Sequence, residues 1–180
     1  MKKLSRILTM TALSIATAAF TAASFAASPA QATPKIIRHD MPNYALTDSS
    51  SYVVSKSLIV NGQKLDIQPL QLNGCLLVPA RAVSNALGFT TTWDAAEQAV
   101  TITGPYMKTT QYLGVDFSSA VTTIPGAVGM TAPTSFGAAP VLVDNTAYVP
   151  VEIFKIIQGN EPDALTISDT AIELKTITNK

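Results

Sequence analysis

The chain has one cysteine, one histidine and one tryptophan in 180 residues. A lone cysteine excludes an internal disulfide, so the fold must stand on packing and backbone pairing. Cys75 follows a turn signal and opens an apolar run, the setting of a buried, inert thiol, and no basic neighbour in sequence lowers its pKa. A lone histidine, His39, excludes a multi-histidine metal site and leaves a Ser-His-Asp triad only one imidazole to use. No Gly-x-Ser-x-Gly elbow, phosphate loop, dinucleotide fingerprint or Cys/His metal spacing is present. Charge is sparse at 13%, with 12 basic and 12 acidic residues and no basic run, which argues against nucleic acid and anionic membranes as partners. After the N-terminal segment no apolar run approaches membrane-spanning length.

That segment, 1–32, reads as a secretory signal peptide. Lys2, Lys3 and Arg6 form the charged start, an Ala-rich apolar stretch follows, and Ala30-Gln31-Ala32 fits small-residue cleavage, with Ser24-Phe25-Ala26 a second site. Its removal would leave nine basic against twelve acidic residues, a mildly acidic exported chain. Residues 33–57 are polar and irregular, with Pro34, Pro42 and a run of three serines, and are expected to form a linker or loosely attached N-terminal arm. His39 and Asp40 fall in that arm and are expected to be solvated.

Residues 58–180 carry the fold. Leu58-Ile59-Val60, then Asn61-Gly62, then the alternation Lys64 to Ile67 predicts a hairpin. Asn73-Gly74 predicts a second turn, and Cys75 to Val78 a short apolar strand. Pro79 ends ladder pairing and suits the start of a helix over 80–87, with Val83 and Leu87 on one face; Gly88 supplies the left-handed stop. Phe89, Thr91 and Trp93 then alternate on a strand, with Trp93 expected as the largest core contributor. Asp94 opens a turn, and Val100 and Ile102 lie on the return strand. Copy one of this unit spans 58–104.

A shift of 71 residues aligns Pro69 with Pro140, Val78 with Val149, Pro79 with Pro150 and Gly88 with Gly159 without a gap. The spacing implies a second strand–proline–helix–glycine corner, with a helix over 151–157 and a hairpin about Ser168-Asp169, so that a divergent copy two spans 138–175. Arg81 falls on Glu152 and Trp93 on Ala164, so the second copy lacks the aromatic anchor. The fold class expected is α+β: small antiparallel sheets each wrapped over a short helix, in two related copies.

From Phe117 to Val143 there is no charged residue. This central segment, 117–137, mixes Pro and Gly with Ile124, Val128, Met130 and Phe136. It is expected to be a partly ordered loop or extended hairpin that offers those four side chains to a partner.

The run from Asn73 to Asp94, with Val-Pro-x-Arg, a short helix, Gly and then Trp-Asp, resembles the copper amine oxidase-like N-terminal domain, or stalk domain. The resemblance covers about 58–102 well and 138–174 weakly. It implies a module that is not the catalytic part of those oxidases, carried by exported bacterial proteins, often beside envelope or wall-associated parts. Their copper needs three histidines, which this chain lacks, and Asn43-Tyr44 is followed by Ala45 where the quinone-forming context has an acid. The resemblance also places an Arg at Arg81, whose expected role is structural, by pairing with Asp94 or strand-end carbonyls; an anion-binding role is the alternative. Pro79, Arg81, Gly88, Trp93, Asp94, Pro150 and Gly159 are the motif residues. The carboxylate pairs Asp94/Glu97 and Glu161/Asp163 lie in expected turns, as solvated faces or caps.

The function expected is that of a secreted, non-catalytic binding module at the bacterial cell envelope, with no cofactor. Its partner would be an envelope or cell-wall-associated protein or glycan. The alternative is a secreted enzyme inhibitor or small-ligand binder.

Overall fold

The computed structural model describes residues 38–178; the expected signal peptide lies outside the described residues. Chain order begins with β1 (Ala45–Leu46) and the hairpin of β2 (Ser57–Val60) and β3 (Gln63–Leu65). The strands β4 (Leu70–Leu72) and β5 (Cys75–Pro79) lead into α1 (Ala80–Leu87). A meander follows: β6 (Thr90–Asp94), β7 (Ala99–Thr103), β8 (Met107–Tyr112) and β9 (Ala120–Thr122). The chain closes with β10 (Val141–Val143), β11 (Thr146–Pro150), α2 (Ile153–Ile156), β12 (Leu165–Ile167) and β13 (Ala171–Leu174). The fold class is α+β, mixed sheets with few helices.

Three sheets result: β1-β10-β11-β5-β4, β12-β13-β2-β3 and β6-β7-β8-β9. The expectation of purely antiparallel sheets is corrected, because β1 pairs with β10 and β13 with β2 in parallel. Both parallel pairs join segments far apart in sequence, where no tight turn forces the strands to run in opposite directions.

Turn chemistry sets the hairpins. Asn61-Gly62 and Asn73-Gly74 have positive φ at both residues, as a two-residue turn matching the strand twist demands. Asp144 and Asn145 do the same for β10–β11, at φ 46° and 59°. Strand β5 is buried along its whole length, and its side chains divide by alternation between two cores. Leu76 and Val78 enter a large cluster with Leu58, Val83, Ile102, Val149, Phe154 and Ile172. Cys75 and Leu77 enter a smaller one with Leu70, Val141 and Tyr148. Across the middle of the five-stranded sheet Val78 faces Val149, with Leu77 opposite Pro150 and Pro79 opposite Tyr148.

The smaller core explains why the N-terminal arm is not a free linker. Met41, Leu46 and Tyr52 pack against it. The Met41 N–H donates to the Gly114 carbonyl at 2.8 Å, and the Leu142 N–H donates to the Tyr44 carbonyl at 2.8 Å. Burying the arm's apolar groups offsets the entropy of ordering it, a long-range gain that its polar composition does not announce.

Helix α1 ends as its sequence requires. Gly88 is left-handed at φ 77°, and the Phe89 N–H returns to the Ser84 carbonyl at 2.8 Å. Pro79 remains in the ladder as the last residue of β5 and is also the residue before the first helical turn. Pro150 holds the matching place in β11. The segment after it turns before α2 forms, so the helix expected over 151–157 is shortened; Ile157 caps it, and Gly159 lies in the turn beyond at φ 81°.

Candidate functional site

Two surfaces stand out, a cleft and a hairpin. The cleft lies where α1, the β6–β7 hairpin and the β10–β11 turn converge, with a volume of about 280 Å³. Ala80 and Arg81 form one side, Thr91 and Trp93 another, and Asn145 and Thr146 a third, over the buried Val100.

Trp93 is therefore not the core anchor expected from its alternation with Phe89 and Thr91. Phe89 is 8% exposed, Thr91 is half-buried and Trp93 is 39% exposed. The apolar face of β6 starts inside the core, but the strand runs outward, so its last side chains pass the edge of the core. The largest fully buried side chain is instead Phe154. The expected tie between Arg81 and Asp94 is also absent. Arg81 is exposed at the cleft, while one Asp94 carboxylate oxygen accepts from the backbone N–H groups of Ala96 (2.9 Å) and Glu97 (3.1 Å) and so caps its own turn. Arg81 also sits in the first turn of a helix that has no acidic residue there, where the helix dipole disfavours a cation.

The hairpin is the uncharged central segment. Its base is Asp116, 1% exposed, a residue that sequence reasoning did not single out. Its carboxylate accepts the N–H groups of His39 (3.0 Å), Phe136 (2.9 Å) and Gly137 (3.2 Å) and the Ser135 hydroxyl (2.5 Å). One buried carboxyl group thus joins the arm to the foot of the hairpin, and the oriented donors around it offset the cost of burying it. The Asp116 N–H in turn donates to Asp40, which pairs with Arg38 at 3.0 Å; Arg38 lies 5.3 Å from the Phe117 ring centre. The arm pair His39-Asp40 is exposed, as expected, and it also ties the arm to the hairpin foot, through the His39 backbone N–H and the Asp40 carboxylate.

Above that base the two sides of the hairpin pair. Ser118 and Thr134 exchange two backbone hydrogen bonds, both 2.8 Å, and the Thr131 N–H donates to the Ala120 carbonyl at 2.8 Å. The buried Gln111 holds the Ser118 hydroxyl at 2.9 Å. The segment turns at Pro125-Gly126, where Gly126 has φ 77°. Near this turn Ile124 is 49%, Met130 66% and Val128 fully exposed. Phe136 differs from the other three: it is half-buried and packs against both cores. It follows Ser135 at the Asp116 clamp, and that clamp turns its side chain inward.

Cys75 is buried. Burial, then the negative charges of Glu152 and Asp116, push its thiol up to about 12, so it is a poor nucleophile at neutral pH. Burial also holds the Glu152 carboxyl above the usual carboxylate range, against the opposing effect of a backbone hydrogen bond. Among the described residues, no group of three or more His, Cys, Asp and Glu side chains is placed to hold a metal ion, and no helix is long and apolar enough to cross a membrane.

A family model for the copper amine oxidase N-terminal domain matches residues 59–161, more than half of the chain. The chain belongs to that family. The match runs from β2 to the segment after α2, so this copper amine oxidase N-terminal domain includes both strand–proline corners, the cleft and the hairpin. In the oxidases the domain is a non-catalytic part. No curated protein and no solved structure matches the chain.

Proposed function

We propose that the chain is a secreted, non-catalytic binding module that works at the bacterial cell envelope by holding its uncharged hairpin against an envelope-associated protein. The observation that carries this reading is the contrast between the hairpin's foot and its tip. The foot is fixed by Asp116 and by the Ser118–Thr134 pair, whereas the tip presents Ile124, Val128 and Met130 to solvent. A rigid apolar projection loses little conformational entropy on docking, and apolar side chains held in water gain from burial in a partner. The absence of charge from 117 to 143 removes the desolvation penalty that a charged tip would bring.

The module consists of a signal segment over 1–32, an arm over 33–57 and a stalk-like domain over 58–180. That domain descends from two copies of one strand–proline–helix–glycine unit. The pairing of Val78 with Val149, 71 residues apart, supports the duplication: equivalent strands meet at equivalent residues, as in a two-fold dimer interface. The family's non-catalytic place in the oxidases supports the reading that this chain is not an enzyme.

Removing 118–136 outright would be a poor test, since it takes away β9 and Phe136. The informative variant replaces Ile124, Val128 and Met130 by serine together. Isolated envelopes should retain the native protein and release the variant, at unchanged melting temperature. Equal retention of both would overturn the proposal.

A further inference from the structure

The cleft at Arg81 and Trp93 is separate from the hairpin tip, and its chemistry is of a different kind. We propose that it binds a saccharide bearing one anionic substituent, with a sugar ring against the Trp93 indole and the carboxylate or phosphate on the Arg81 guanidinium.

Three observations carry this. First, Trp93 is the only tryptophan of the chain, and it stands 39% exposed at a concavity instead of in the core. A half-exposed indole is a flat apolar platform with a wet edge, which suits a ring that is apolar on its C–H face and polar at its rim. Second, Arg81 is the only ionisable residue lining the cleft. It has no pairing with Asp94, and its place in the first helical turn is one that local helix energetics disfavour. One guanidinium matches one negative charge and can hold its oxygens in a bidentate pair; a polyphosphate would call for more cations. Third, the remaining polar groups are neutral. The Asn145 side chain is held on a tight turn at φ 59°, Thr146 is exposed beside it, and the Thr91 hydroxyl is buried in the cleft wall with no hydrogen-bond partner among the described residues. Amides and hydroxyls of this kind serve sugar hydroxyls as both donors and acceptors.

The second half of the chain shows what this corner is like without such a role. Seventy-one residues on, Glu152 stands at the position of Arg81 and Ala164 at that of Trp93. Glu152 is turned towards Cys75, 4.0 Å away, and Ala164 is buried. The strand and its proline therefore recur without a cation or an aromatic ring at these positions, although the helix after them is only four residues long and Ala164 ends a 3-10 turn instead of standing on a strand.

The sole tryptophan makes the cleft its own reporter. Emission of the purified protein would be titrated with an N-acetylmuramic acid disaccharide carrying a free carboxylate, with N-acetylglucosamine 6-phosphate, with neutral N,N′-diacetylchitobiose and with inorganic phosphate. At least one anionic sugar should shift the emission at a concentration at least tenfold below that needed for diacetylchitobiose; which of the two does so identifies carboxylate or phosphate as the source. Arg81→Gln should erase that preference while leaving diacetylchitobiose within twofold, and Arg81→Lys should restore part of it. No response to any sugar, equal response to neutral and anionic sugars, an unchanged preference in Arg81→Gln, or an equal response to inorganic phosphate alone would each overturn the proposal. The hairpin-tip triple serine variant should titrate like the native protein, so failure here is distinguishable from failure of the envelope-binding reading.

Discussion

Replacing Asp116 by alanine should be the most damaging single polar substitution in the domain. Its carboxylate satisfies three backbone N–H groups and one hydroxyl, from His39, Ser135, Phe136 and Gly137. After truncation the exposed His39 can turn to water, but Phe136 and Gly137 are half-buried. Each buried donor left without a partner costs about 1–3 kcal/mol. Two such groups, with the lost charge-assisted bonds, give an expected loss of about 4 kcal/mol, a large share of the roughly 5–15 kcal/mol that holds a domain folded. Asp116→Asn should lose only about half as much. Its remaining oxygen can take the place of the one that accepts from His39, Ser135 and Gly137, leaving the new amide group opposed to the Phe136 N–H. Urea denaturation measures both losses, and native-state hydrogen exchange locates them. Faster exchange should be confined first to the amides of Phe136, Gly137 and the arm around His39. A loss below about 1 kcal/mol for alanine, or a loss with no local change in exchange, would refute the view of Asp116 as the clamp of the hairpin.

Two further outcomes follow from single residues. Burial raises the Glu152 pKa in the folded state, so folding takes up protons there; its contribution is complete below the ordinary value of 4.5 and is lost as pH rises through the folded value. Glu152→Gln should therefore gain stability relative to the native protein as pH rises above 4.5, and a difference constant from pH 4 to 8 would contradict this. Gly114→Ala would place a Cβ 2.5 Å from the Met41 carbonyl oxygen at a residue with φ 77°. It should detach the arm, at about 2 kcal/mol, and open a protease site within 38–46; an arm that stays resistant would refute the steric argument.

Features set by neighbours in sequence were legible without the structure. Asn61-Gly62, Asn73-Gly74, Pro79 and Gly88 act through backbone geometry that each residue carries with it, and they stand where expected. The family was legible for the same reason, since its motif is made of these breakers. Trp93 was not, because strand alternation tells which side chains share a face but not where along the strand the core ends; Phe136 and Asp116 lie outside the strands, and their places are set by hydrogen bonds between segments distant in sequence. The packing of the arm was not legible because polar composition describes solvation and says nothing of the Met41 and Tyr44 backbone bonds to Gly114 and Leu142. The cleft had one signal that a closer reading could have used: an arginine in the first turn of a helix without an acid to offset it.

The parallel pairing of β2 with β13 has a consequence for the order of assembly. Ser57 lies opposite Ala171 and Val60 opposite Leu174. The first strand to enter the main core thus waits for the last, and β1 likewise waits for β10. A chain emerging from its N-terminus cannot complete the first pairing before Leu174 is present, or the second before Val143, and the long loops that must close make such folding slow. The main core should therefore close late, after the local hairpins β2–β3 and β4–β5 have formed.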